Sequence, residues 1–209
     1  MRNWFFYTFL TVFGSAFGIV IVGVVSVRIY QVPNAAMEPT LREGDSLMEF
    51  RRFGMRSIQR GELAAFLLPQ DSAQTVVRRV VGVPGDHIRV RAGRLVLNGQ
   101  QLAEPYIQIS KNALGADFPT ALDSMLDLGG EVRNLQAVMY GEWVRNGTLI
   151  VPDGYYFMLG DNRTNTVDSR IFGPIPLGNI VARPVYVYRT KAPGTERHLL
   201  DSYIIGDPP

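Results

Sequence analysis

Thr75-Val76-Val77-Arg78-Arg79-Val80-Val81-Gly82-Val83-Pro84-Gly85-Asp86 reads as one strand and the turn that stops it. Valine dominates residues 75–83, and β-branched side chains favour extended backbone. Pro84 fixes φ and Gly85 admits positive φ, so the chain turns there. Arg78 and Arg79 are adjacent on this strand and leave by opposite faces. The ordinary fate of such a pair is one arginine in solvent and one held by a partner.

The same grammar recurs outward from this stretch. Residues 46–50 follow a turn at 41–45, and the apolar run 63–68 is closed by Pro69. Residues 88–90 and 95–97 flank Ala92-Gly93 as a hairpin, and Asn98-Gly99 is a further tight turn. Pro152-Asp153-Gly154 leads into a strand at 155–159. A last strand covers 180–188, where Pro184 predicts an edge or a bulge. Many short strands with Gly and Pro punctuation predict a mostly β domain over 31–190. Residues 107–150 have no clear period beyond a strand-like 136–140, and they read as an inserted, variable subdomain. The polar stretch 191–209 ends in two prolines and reads as a mobile tail.

The 209 residues include no cysteine and two histidines, His87 and His198. Disulfides, thiol nucleophiles and thiolate metal sites are excluded, and neither a metal nor a cofactor is expected. A formal net charge of +2 gives no reason to expect a nucleic-acid partner. Residues 3–27 carry no charge. As a helix they would extend roughly 37 Å, enough for a hydrocarbon core of about 30 Å. Trp4, Phe5, Phe6 and Tyr7 crowd one end and Tyr30 follows the other. A cleaved secretory signal would have a shorter apolar core and a small-x-small end. The expectation is a short tail at 1–7 and a retained membrane anchor at 8–28. Arg2 on one side and Arg28 and Arg42 on the other leave its orientation open.

Three blocks, in order, resemble signal peptidase I. The first is Pro33-Asn34-Ala35-Ala36-Met37-Glu38-Pro39-Thr40-Leu41. The second is Arg78 to Asp86. The third is Gly160-Asp161-Asn162-Arg163-Thr164-Asn165-Thr166-Val167-Asp168-Ser169-Arg170, followed by Phe172-Gly173-Pro174. Leu97-Asn98-Gly99, Glu104-Pro105-Tyr106 and Val151-Pro152-Asp153-Gly154 extend the match to about residue 189. The resemblance implies a signal-peptidase-like β domain behind one N-terminal transmembrane helix. It also implies a location on the outer face of a membrane and an endopeptidase that removes signal peptides from exported preproteins.

The chemistry the resemblance implies is a serine that attacks the substrate carbonyl while a neutral lysine takes its proton, with backbone N–H and a hydroxyl holding the oxyanion. Carried over by position, the nucleophile is Ala36 and the general base is Arg78. The oxyanion donor is Asn34, and Thr166 stands beside the base. Asp168 and Arg170 match a structural ion pair. A methyl group cannot attack, and arginine stays protonated. Thr40, Ser46, Lys111, Lys191 and His87 are the remaining hydroxyl, amine and imidazole candidates, and none falls at a matching position. Asp161 to Arg170 taken alone reads as a solvated polar loop bracing the site. Runs 63–68 and 80–83 read as core rather than groove.

The expectation is therefore an inactive relative. It would bind signal peptides or membrane-protein segments beside the lipid bilayer, or regulate an active signal peptidase. The alternative is a signal peptidase that is active through another residue set, or deliberately disabled.

Overall fold

The computed structural model describes residues 7–9, 11–12, 27–51, 58–69, 73–109, 117–119, 141–190 and 198–200. Its strands are β1 (Val27–Gln31), β2 (Ser46–Arg51), β3 (Leu63–Leu67), β4 (Thr75–Gly82), β5 (His87–Arg91), β6 (Arg94–Leu97) and β7 (Gln100–Gln101). They continue with β8 (Val144–Arg145), β9 (Thr148–Ile150), β10 (Tyr155–Leu159), β11 (Ile175–Pro176), β12 (Ile180–Arg189) and β13 (His198–Leu199). A short helix, α1 (Ser169–Phe172), packs on β10. The mostly β expectation holds.

The larger sheet runs β1-β2-β12-β3-β4-β10-β11, with β13 added to β12, and the smaller runs β7-β6-β5-β9-β8. β4 is the hinge of the architecture, because the turn at Pro84-Gly85-Asp86 hands the chain from the first sheet to the second. Val76 and Val80 join a cluster with Phe66, Met158 and Ile175. Val77 faces Met37, Leu41 and Leu47, and Val81 faces Ile88, Phe157 and Leu159. Both faces of β4 are covered, which is why its sequence is a continuous apolar run rather than an alternating one. Runs 63–66 and 80–81 are core, as expected. The carboxylate of Asp86 fixes the turn: it accepts from Val83 N and takes a bidentate pair from Arg60. Asn98-Gly99 joins β6 to β7 with both residues at positive φ, the two-residue turn that suits a twisted hairpin.

Of the two forms expected at Pro184 the bulge is the one found, and three other expectations change. Pro184 sits inside the larger sheet, not on an edge, because β12 pairs with β2 on one side and with β3 on the other. The register slips between Pro184 and Tyr186, and that bulge accommodates the missing N–H. The tail 191–209 is not wholly free: β13 pairs with Tyr186 and Val187, on the same edge of β12 as β3 and beyond the stretch that β3 reaches. The end of 107–150 is not separate from the sheets, since β8 and β9 form a hairpin that joins β5 through β9. Val27 and Arg28, the expected end of the anchor, are extended, because β1 pairs them with Phe50 and Glu49, and Arg28 meets the Glu49 carboxylate at 2.7 Å. Most of 8–28 lies outside the described residues, as do 136–140. Among the described residues no helix is long and apolar enough to cross a membrane.

Candidate functional site: a cleft built from three sequence blocks

Residues Ala35–Met37 form a single 3-10 turn. Met37 and Leu41 are buried in the cluster that also holds Val32, Leu47 and Val77. They plug the segment into the core and leave Ala36 beside a cleft. The third block grips the same turn from the other side: Asn162 donates from N to the Ala36 carbonyl and from Nδ2 to the Ala35 carbonyl, both at 3.1 Å. Gly160 lies directly beneath. A Cβ there would come within 2.3 Å of Thr166 Oγ1 and 2.7 Å of the Ala36 oxygen, so only glycine permits this approach.

The cleft measures about 910 Å³. Asn34, Ala36, Arg78 and Thr166 all line it, so the structure brings together the four positions expected to carry chemistry. Tyr30, Leu68, Thr75, Val76 and residues 164–167 complete its walls. No carboxylate, lysine, histidine, serine or cysteine lines it among the described residues. Asp168 and Arg170 stand behind the cleft rather than in it.

Each lining group is set in a definite way. Asn34 caps the turn, and its Oδ1 accepts from Ala36 N at 3.1 Å. The backbone N–H at the nucleophile position is therefore already taken by the side chain expected to donate to an oxyanion. Arg78 is buried at 5% exposure. Its Nε and Nη2 donate to the Val167 carbonyl at 3.1 and 2.9 Å, and Nη1 donates to the Val77 carbonyl at 2.6 Å. Burial pushes its pKa down, while Asp168, Tyr30 and Asp161 oppose that shift. A guanidinium starts so high that it remains a cation. Burial pushes the Tyr30 phenol up, and Glu49 adds to the shift; Tyr30 donates to the Thr75 carbonyl. Thr166 Oγ1 is buried with no hydrogen-bond partner among the described residues.

Behind the cleft, charges are locked in pairs. Asp168 takes Arg170 through both oxygens at 2.9 Å, caps α1 at Arg170 N, and accepts from Gly160 N. Arg79, expected to differ from Arg78 in exposure, is also buried, against Asp161 at 2.9 and 2.6 Å. Thr40 donates to the same Asp161, and Arg79 also reaches the Gly61 carbonyl and the face of Tyr106. Thr40, Arg79 and Asp161 come from the three separate blocks, so this buried knot joins them. Arg163 pairs with Glu104, which also takes Tyr106 OH and Leu95 N. The expected solvated loop is thus buried at Asp161, Asn162, Arg163, Asp168 and Ser169, and exposed only in part, at Thr164, Asn165 and Val167. Sequence reading missed Gly160, Asn162 and the Arg79–Asp161 knot as organisers of the site. The signal available was that each block carries one member of the knot.

Among the described residues none of the substitute candidates enters the cleft. His87 is exposed on the smaller sheet, Thr40 is held by Asp161, and Ser46 pairs with Gln31 and Arg189 in β2. Lys111 and Lys191 lie outside the described residues.

A family profile described as "Signal peptidase, peptidase S26" matches residues 1–189. The chain belongs to the signal peptidase family. It is similar to signal peptidase I of Pseudomonas fluorescens, 31% identical over 189 residues, covering 78% of this chain and 64% of that protein. It is also similar to signal peptidase I V of Bacillus subtilis strain 168, 34% identical over 154 residues, covering 73% of this chain and 80% of that one. A solved signal peptidase I of Enterococcus faecalis V583 is 30% identical and covers 61% of this chain and 96% of its own, at a TM-score of 0.42, too loose to bear on the fold. The chain spans just under two thirds of the length of the Pseudomonas signal peptidase.

Proposed function

We propose that this signal peptidase relative binds signal peptides, or like membrane-protein segments, without cleaving them. The observation that carries the reading is the state of the cleft's two chemical positions. Ala36 offers a methyl group where a nucleophile would stand, and Arg78 is a guanidinium tied to the carbonyls of Val77 and Val167. A serine–lysine pair works as a unit, and with both members lost little of the rate enhancement is left.

Peptide binding needs neither group. Residues 75–77 of β4 pair with β3 on one side, while β10 begins to pair only at Arg79. The other backbone edge of this stretch faces the cleft; Tyr30 and Arg78 already hold its Thr75 and Val77 carbonyls, and an extended peptide adds as a strand to the groups that remain. Leu68 and Val76 supply an apolar wall for small side chains. The uncharged run 3–27 supports an anchor in the same membrane from which such peptides emerge, with the domain on the outer face. An active signal peptidase is a natural partner, as the source or competitor for the same peptides.

Photocrosslinking tests the reading. A precursor carrying a photoreactive residue beside its small-x-small site should label residues 73–78 or 164–167 of the native chain. Labelling confined to other faces, or no labelling, would remove the groove from the account.

A further inference from the structure

We infer that the cleft takes the free C-terminal carboxylate of a peptide, with Arg78 as its counter-ion. This rests on the peptide-binding reading and names the end of the peptide that the cleft selects.

The charges behind the cleft do not balance. Three guanidiniums, Arg78, Arg79 and Arg170, meet two carboxylates, Asp161 and Asp168. Both oxygens of Asp161 are engaged by Arg79, and both oxygens of Asp168 by Arg170. Arg78 is left with neutral carbonyls although it is 95% buried. Asp168 and Asp161 act on Arg78 only from a distance, and a buried cation with no carboxylate in contact is costly, so an anion arriving in the cleft lowers that cost. Of five guanidinium N–H groups, three are used on Val167 and Val77, leaving one on each Nη nitrogen. Thr166 Oγ1, buried and unpartnered among the described residues, adds a hydroxyl in the same wall. No acidic side chain lines the cleft to repel a negative charge.

The anion that fits is the end of a chain rather than a free ion. The edge of 75–77 that β10 leaves unpaired runs toward Arg78, so a strand added there parallel to β4 brings its C-terminus to the guanidinium. A carboxylate is the planar group that arginine binds best. It is also what hydrolysis of a peptide bond leaves behind. The reaction that supplies this ligand is therefore an endopeptidase cut after a small residue, performed by another enzyme.

The experiment uses the full chain in detergent and a labelled peptide ending Ala-Leu-Ala, as the free acid and as the C-terminal amide, read by fluorescence anisotropy. The acid should bind about ten- to a hundredfold more tightly than the amide. Arg78→Gln should abolish the difference and Arg78→Lys should retain part of it. If Arg78→Gln does not fold, the acid–amide comparison on the native chain still decides. Equal binding of acid and amide overturns the inference and leaves the groove reading standing. Binding of neither overturns both. Displacement of the acid peptide by inorganic phosphate at the concentrations effective for unlabelled acid peptide shows an anion site indifferent to peptide, and also overturns it.

Discussion

Replacing Asp161 by alanine should unfold the site before it alters any chemistry. Arg79 and Asp161 are fully buried and share two hydrogen bonds, at 2.9 and 2.6 Å. The substitution leaves the guanidinium with the Gly61 carbonyl and the Tyr106 face but without a counter-charge. Breaking one side of such a pair costs about 3–5 kcal/mol. For a domain of this size each kcal/mol moves Tm by about 2–4 °C, so Tm should fall by about 6–20 °C. Thr40 loses its acceptor as well, which places the loss toward the upper part of that range. Asp161→Asn keeps one acceptor oxygen and should lose less. The double change Arg79→Met with Asp161→Leu should recover much of the loss, because an apolar pair has no charge to strand. Urea titration and thermal melts of the four proteins measure this. A loss below about 1 kcal/mol for Asp161→Ala, the range of an exposed pair, would refute the argument that this knot holds the three blocks together.

Gly160→Ala should destabilise the chain by about 1–3 kcal/mol and weaken peptide binding, because its Cβ meets the Ala36 oxygen as well as Thr166; urea melts and anisotropy check both. Ala36→Ser and Arg78→Lys should each leave precursor uncut, the double change should cut detectably, and adding Asn34→Ser should raise turnover further, since Asn34 now occupies the Ala36 N–H and one oxyanion donor is worth about 10²–10³-fold. Mass spectrometry of the precursor reads that order, and cleavage by Ala36→Ser alone equal to the double change would mean that Arg78 is not at the base position. Burial holds Glu49 above its ordinary carboxyl pKa, against the opposing pull of Arg28. The folded state then binds the proton more tightly than the unfolded one, so stability from this group declines as pH rises from the ordinary carboxylate range through the raised value. Glu49→Gln should flatten that part of the stability–pH curve, and an unchanged slope would contradict it. Protease added to intact spheroplasts should digest 31–209; protection, with an outer-face control cut, would reverse the orientation.

Residues whose conformation is local were legible in the sequence. The strand 75–83 with its Pro-Gly-Asp stop, the hairpin around Ala92-Gly93 and the turn at Asn98-Gly99 all carry their own backbone chemistry. Pro184 signalled a bulge but not its place, since whether a strand is central depends on which distant strands pair with it. β1, β8, β9 and β13 were not read as strands because they are short and are specified by their partners. At the site, the four lining positions were nameable from the blocks. The burial of Arg79 was not, because only the folded chain brings Asp161 to it from 82 residues away. Nor did the sequence disclose that Asn34 turns its oxygen, not its amide, toward the Ala36 N–H.

The most direct test of the account is whether the native chain cuts a signal-peptide precursor. Purified full-length protein is incubated in detergent with a labelled precursor bearing a small-x-small site, and the products are read by mass spectrometry. The account predicts intact precursor, recovered in complex with the chain. Site-specific cleavage that co-purifies with the native chain, and persists after contaminating peptidase is removed, would contradict it.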